Sequence, residues 1–132
     1  MKLSLAMTKV KAKFGLNNMN WKSLDNSNIL EEVSNLSFEH PVVIFKHSTR
    51  CPISHMALSW FERSWSQEEM GVVEPYYLDL IQYRPVSNRV AEVFGVHHES
   101  PQLLLIDKGE CTYHSSHSNI SYKELKKQLG ME

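Results

Sequence analysis

The chain has few cysteines, no long apolar run and almost no net charge. Two cysteines in 132 residues do not make the disulfide framework of a small secreted domain, and no stretch approaches the roughly 20 apolar residues of a membrane-spanning helix. A formal net charge of −1 gives no reason to expect nucleic acid or a membrane as a partner. The apolar run at residues 3–7 is shorter than the about 7–15 residues of a signal-peptide core. We therefore expect a cytoplasmic protein.

Length and composition indicate one globular domain. A chain of 132 residues with 42% hydrophobic and 22% charged residues can bury an apolar core without disulfides or metals. Residues 1–20 show only a weak amphipathic pattern interrupted by lysines, and we interpret them as a frayed or surface-docked N-terminal extension rather than a membrane or partner helix. The domain itself is predicted over residues 21–132.

Helix and strand signals alternate along the predicted domain. The pattern predicts helices over 26–36, from Cys51-Pro52 onward, over 85–94 and after Ser121, and strands over 42–45, 72–80, 102–106 and 110–114. Alternation favours parallel strand pairing, and the Asp-Lys-Gly turn at 107–109 adds an antiparallel hairpin. The expected fold class is therefore α/β, with a mixed central sheet covered by helices on both faces.

Cys51 is the main candidate for chemistry. It follows an apolar strand and directly precedes Pro52, which suits the first turn of a helix. A helix N-terminus offers free N–H groups and the positive end of the helix dipole, and both favour the nucleophilic thiolate. Basic residues surround Cys51 within five positions, namely Lys46, His47, Arg50 and His55. A small buried hydrophobe is the simpler interpretation of a cysteine, but the proline and the basic turn favour a reactive thiol.

The position three residues after Cys51 is serine, so the dithiol motif of many oxidoreductases is incomplete. Ser54 either hydrogen-bonds the thiolate or supports the start of the helix. Cys111 opens the returning strand of the hairpin and is expected roughly 17 Å from the active-site end of the sheet, too far for a disulfide with Cys51. Alternation predicts that Cys111 packs on the same face as Tyr113.

Three segments resemble the monothiol bacilliredoxin family, bacilliredoxin C-like general stress proteins of the thioredoxin-like superfamily. They are PVVIFKHSTRCPIS at 41–54, Glu99-Ser100-Pro101-Gln102, and the Ser116-His117-x-x-Ile120 stretch after the last strand. The resemblance covers roughly residues 20–130 and implies a thioredoxin-like fold in which the Ser100–Pro101 peptide bond is cis.

The resemblance also implies an activity, which is thiol–disulfide exchange. Such proteins transfer bacillithiol from a capped protein cysteine onto their own cysteine, here Cys51, and a further thiol then clears it. No cofactor or metal is expected; bacillithiol or a similar thiol is a co-substrate, and proteins carrying such mixed disulfides are the partners. The predicted substrate-binding residues are Thr49, Arg50, Pro52, Ser54, Ser100, Pro101 and His117.

Three other functions are alternatives to this one. The Thr49-x-Cys51 spacing is similar to a peroxiredoxin site but one residue shorter, which leaves a thiol peroxidase as an alternative. A non-catalytic redox sensor or interaction module on the same fold is a second alternative, because fold does not determine function. The seven histidines are scattered without zinc-ligand spacing, which argues against a metal site.

Overall fold

A computed structural model of the chain describes residues 19–131, in which strands and helices alternate as predicted. The strands are β1 (Lys22–Ser23), β2 (Val42–His47), β3 (Glu74–Asp79), β4 (Gln102–Asp107) and β5 (Glu110–Ser116). The helices are α1 (Ser27–Leu36), α2 (Pro52–Ser64), α3 (Arg84–Phe94) and α4 (Tyr122–Gln128), and a short 3-10 turn covers His117–Asn119. Most of residues 1–20, interpreted above as an extension, lies outside the described residues.

The five strands form one mixed sheet in the order β1-β3-β2-β4-β5. β3 pairs in parallel with β1 and β2, whereas β4 is antiparallel to β2 and β5 is antiparallel to β4. The predicted mixed sheet is therefore confirmed. β1 was not predicted, because a two-residue strand is too short to show the alternation that identifies strands.

β2 lies at the centre of the sheet and is buried along its whole length. Its alternate residues face two separate apolar clusters, since successive side chains of a strand point to opposite faces. Val42 and Ile44 pack with residues of α1 and α3, and Val43 and Phe45 pack with residues of α2 and α4. Helices therefore cover both faces, as expected.

Several predicted helix ends are also observed. The Ser121 side chain accepts a hydrogen bond from the Glu124 N–H at the start of α4, and Asn26 caps α1 in the same way. α3 ends at Gly95, whose φ of 66° lies in the left-handed region that favours glycine.

The prediction that Cys111 and Tyr113 share a face is wrong. Tyr113 lies opposite Leu105, but Cys111 lies opposite Ile106, so the strand register shifts between these two pairs. Thr112 is the extra residue of this β-bulge, and it changes the alternation by one position. Cys111 consequently packs beside α1 and α3, and Tyr113 packs beside α2 and α4.

Lys46 is fully buried on β2, on the sheet face covered by α1 and α3. Its Nζ donates to the Ser87 carbonyl at 3.3 Å and lies 3.2 Å from Nδ1 of His98. Burial, together with the charge of Arg84, lowers the pKa of Lys46 to about 8. A buried ammonium group without an acidic partner among residues 19–131 destabilises the folded state at neutral pH.

We expect Lys46→Met to remove a pH-dependent loss of stability. The pKa of Lys46 is lower in the folded state than its ordinary 10.5. Its buried charge therefore destabilises the folded state fully below pH 8, and this destabilisation disappears as the pH rises from about 8 to 10.5. The destabilisation is about 3 kcal/mol at most. The variant gains less than this in stability, because it also loses the two polar contacts of Lys46. Urea unfolding should show the variant more stable than wild type at pH 7, with a smaller difference at pH 10. A Lys123→Met variant, altered at an exposed position, should show no such change, and a pH-independent difference for Lys46→Met would contradict the assignment.

Candidate active site

Cys51 lies between the end of β2 and the first turn of α2, where it is the N-cap residue. Its backbone is extended (φ −115°, ψ 116°), its N–H donates to the Ser48 carbonyl at 3.2 Å, and its carbonyl accepts from the His55 N–H at 3.1 Å. The thiol is free and half-buried, and it makes no capping hydrogen bond. The first N–H groups of a helix have no acceptor within the helix. Pro52 has no N–H, so in the first turn of α2 these free donors beside Cys51 are the N–H groups of Ile53 and Ser54.

A buried hydrogen-bond network supports the loop that carries Cys51. The Ser54 hydroxyl oxygen accepts a bond from the Ser48 N–H at 3.0 Å and lies 2.7 Å from Nδ1 of His47. With Nδ1 as the unprotonated ring nitrogen, the Ser54 hydroxyl donates to His47, and its hydrogen is then not available to a thiolate. Of the two roles considered for Ser54, support of the loop and helix start fits this geometry.

Burial lowers the pKa of His47, and the nearby His55 lowers it further while Asp79 partly opposes the shift. His47 is therefore neutral at pH 7, as a ring enclosed in the protein should be. The ring of His55 meets that of His47 edge to face at 4.7 Å, and its Nε2 donates to the Thr49 carbonyl at 3.0 Å. The buried His47 and the exposed His55 therefore both contact the loop and stabilise it.

The Ser100–Pro101 peptide bond is cis, which confirms that prediction. Lys46 pairs with Gln102 across the sheet, so the residues before β4 lie beside the residues after β2. This register brings Ser100 and Pro101 to the end of the sheet that carries Cys51. The Ser100 hydroxyl is buried there without a hydrogen-bond partner in the described part of the chain.

His117 is joined to the same loop. Its N–H donates to the Pro101 carbonyl at 3.0 Å, and its Nε2 lies 3.5 Å from a carboxylate oxygen of Glu99. Its φ of 56° is in the left-handed region, an uncommon conformation for a residue other than glycine that is often found at functional sites. The 3-10 turn that begins with His117 packs against α2.

The substrate-binding residues predicted from the sequence thus fall into three places. Thr49, Arg50 and Pro52 line an open groove of about 630 Å³ that begins beside Cys51 and continues along α2. Ser100, Pro101 and His117 form the cis-proline side of the site. Ser54 differs from the prediction, because it is fully buried and bonded within the loop and so has no surface to offer a substrate.

Cys111 lies at the opposite end of the sheet. It pairs with Ile106, four residues along β4 from Gln102, which is about 14 Å at the usual rise of a strand. A disulfide requires Cα atoms within about 7 Å, so Cys111 cannot resolve Cys51 within one chain. Burial raises the pKa of the Cys111 thiol, whose S–H donates to the Tyr113 carbonyl at 3.3 Å.

Residues 19–131 lack two further classes of feature. No group of three or more His, Cys, Asp or Glu side chains is arranged to hold a metal ion there. None of the helices in that range is both long and apolar enough to span a membrane.

Comparisons with known proteins agree with this geometry. The sequence model of the family Monothiol bacilliredoxin BrxC matches residues 22–125, which include every predicted site residue. A solved structure described as having a thioredoxin fold shares 30% identity, covering 81% of this chain and 91% of that one with a TM-score of 0.70. A thioredoxin of Malassezia sympodialis matches at 14% identity over 84% of this chain and 89% of its own, with a TM-score of 0.66. A thioredoxin of Fasciola hepatica matches at 17% identity over 83% of this chain and 96% of its own, with a TM-score of 0.64. The fold is thioredoxin-like, as the resemblance implied.

We expect Ser54→Ala to destabilise the domain by about 1–3 kcal/mol, because it leaves the Ser48 N–H and the His47 ring nitrogen buried without a partner. Urea unfolding at pH 7 measures this loss. Ser64→Ala, at an exposed position at the end of the same helix, is the matched control and should change the free energy of unfolding by less than about 0.5 kcal/mol. Equal stabilities for the two variants would show that the network does not support the loop.

Proposed function

The chain belongs to the monothiol bacilliredoxin family and is a thiol–disulfide oxidoreductase, and we propose that it removes bacillithiol from mixed disulfides on protein cysteines through Cys51. The observation that carries this proposal is the position of Cys51, a free, half-buried thiol at the N-terminus of α2. The family match favours thiol–disulfide exchange over a peroxidase or a non-catalytic sensor.

The first step is attack of the Cys51 thiolate on the bacillithiol sulfur of the mixed disulfide. A bond forms between Cys51 Sγ and that sulfur, the original disulfide bond breaks, and the substrate cysteine leaves as a thiolate that takes a proton from water. The unpaired N–H groups of Ile53 and Ser54 support this step, because they stabilise negative charge at the start of α2.

The second step regenerates Cys51 and requires a thiol from outside the chain. Ser54 stands where a dithiol enzyme has its second cysteine, and Cys111 is at the far end of the sheet. A second molecule of the small thiol attacks the bacillithiol sulfur bound to Cys51, which releases the Cys51 thiolate and a disulfide of the two small thiols. The chain needs no cofactor or metal for either step, and the small thiol is its co-substrate.

The cis-proline side of the site is proposed to align the substrate. The backbone N–H and C=O of Ser100 are suited to pair with an extended substrate peptide as a short added strand, next to the first residue of β4. Pro101 shapes this edge. His117 is proposed to contact the substrate from the neighbouring turn, where its backbone is fixed to the Pro101 carbonyl.

The partners are proposed to be cytoplasmic proteins whose cysteines carry bacillithiol or a similar small thiol. A reducing cytoplasm supplies the free thiol that the second step consumes, and both cysteines of the chain are free, as is usual for proteins of that compartment.

We expect Cys51→Ser to abolish release of bacillithiol from a capped protein substrate, because it removes the nucleophile. Cys111→Ser should leave the rate within about twofold of wild type, since Cys111 is remote from the site and only its packing changes. Release is measured by intact-mass analysis as the fraction of the substrate that has lost its bacillithiol, with free bacillithiol added for the second step. Loss of release in Cys111→Ser with an unchanged unfolding curve would contradict the monothiol mechanism.

A further inference from the structure

One exposed side of α2 forms a groove that thiol–disulfide exchange at Cys51 does not explain. The helix buries Ser54, Ala57 and Phe61. A different stripe of α2, together with two residues of the preceding loop, lines the open groove of about 630 Å³ that starts beside Cys51. Its lining includes Arg50, Met56, Trp60 and Arg63.

The groove combines an apolar floor with positive charge. Trp60 is 58% exposed and Met56 is 47% exposed, so the groove presents two neighbouring large apolar side chains at the surface. Arg50 and Arg63 lie near the two ends of the groove, and no Asp or Glu is among its lining residues. Tryptophan and arginine are the residues that most often supply binding energy at protein interfaces.

Neither arginine is neutralised within the part of the chain that the structure describes. Arg50 and Arg63 form no ion pair with any residue in the range 19–131, whereas Arg89 on the opposite face of the sheet is paired with Glu92 at 2.9 Å. The first 18 residues contain four lysines and no Asp or Glu, so that segment has no carboxylate to offer. The groove therefore has positive charge available for a partner.

The length of the groove indicates what kind of partner fits. From Pro52 to Arg63 the helix rises about 17 Å, which equals about five residues of extended peptide. An open groove of this length extends beyond the immediate surroundings of the Cys51 sulfur, where a small thiol has to bind. It is suited to the polypeptide on which the mixed disulfide stands.

We propose that the α2 groove binds an acidic segment of the protein substrate close to its modified cysteine. Carboxylates of the segment pair with Arg50 and Arg63, whose guanidinium groups donate two N–H bonds to a carboxylate in bidentate geometry. An apolar side chain of the segment packs on Trp60. This inference rests on the proposed function, because it concerns which protein substrates react at Cys51. Acidic residues around the capped cysteine favour the reaction, and basic residues oppose it.

Binding is measured first, apart from the chemistry. Three fluorescein-labelled peptides are compared that differ only in carrying Glu, Gln or Lys around a central serine in place of cysteine. Fluorescence anisotropy with the full chain should give a Kd about fivefold or more lower for the Glu peptide than for the Lys peptide, and the difference should shrink at high salt. Equal Kd values for the three peptides would overturn the inference.

Arg63→Glu locates the binding site. This variant should lose or reverse the preference for the Glu peptide, since it changes the sign of one end of the groove. Arg89→Glu is the matched control, with the same change of net charge on the other face of the sheet, and it should keep the preference. A preference that survives Arg63→Glu, or that disappears equally in both variants, would overturn the assignment to the groove.

Release of bacillithiol from the same peptides, now with a capped central cysteine, links the groove to the reaction. Wild type should have a kcat/KM about fivefold or more higher for the Glu peptide than for the Lys peptide. Failure to release bacillithiol from any peptide, with the binding preference intact, would refute the proposed function and leave the groove as an acidic-peptide site. Release from all three at equal kcat/KM would refute the role of the groove in substrate choice and leave the proposed function.

Discussion

The active-site loop depends on one buried hydroxyl group, that of Ser54. It connects the last residue of the central strand, His47, with the first residue of the loop, Ser48, and it does so from within the helix that Cys51 caps. Strand end, loop and helix start are therefore held together by two hydrogen bonds at one oxygen. The serine in the place of a second thiol has a structural role in this account, and Cys51 is left as the single redox-active sulfur at that end of the sheet.

Two surfaces of different character meet at this sulfur. On one side, the turn at His117 is fixed to the cis-proline loop by a hydrogen bond from its N–H to the Pro101 carbonyl, and we propose that Ser100 offers its main-chain groups to a substrate there. On the other side, the α2 groove presents Trp60 and two arginines. Main-chain pairing does not depend on sequence, so it suits an enzyme with many substrates, whereas a charged groove favours some substrates over others. In our proposals, the first surface aligns a capped cysteine and the second selects it.

Local signals made most of the fold predictable. The apolar run before Cys51, the serine cap at Ser121 and Gly95 after α3 each follow from the chemistry of neighbouring residues. Features that depend on distant contacts were not predictable. The bulge at Thr112 contains no glycine to indicate it, and the roles of Ser54 and Lys46 depend on which residues pack over them. The left-handed backbone at His117 also gave no signal, although histidine adopts it more readily than most residues.

The central claim is that Cys51 takes up the small thiol itself and needs no second cysteine of the chain. Intact-mass analysis tests it after the reduced protein is mixed with an equimolar bacillithiol-capped substrate in the absence of free thiol. The account predicts that the chain gains the mass of one bacillithiol less two hydrogens, located on the Cys51 peptide, and that the substrate loses the same mass. A chain lighter by two hydrogens, with Cys51 and Cys111 joined, or a stable disulfide between Cys51 and the substrate protein, would contradict it.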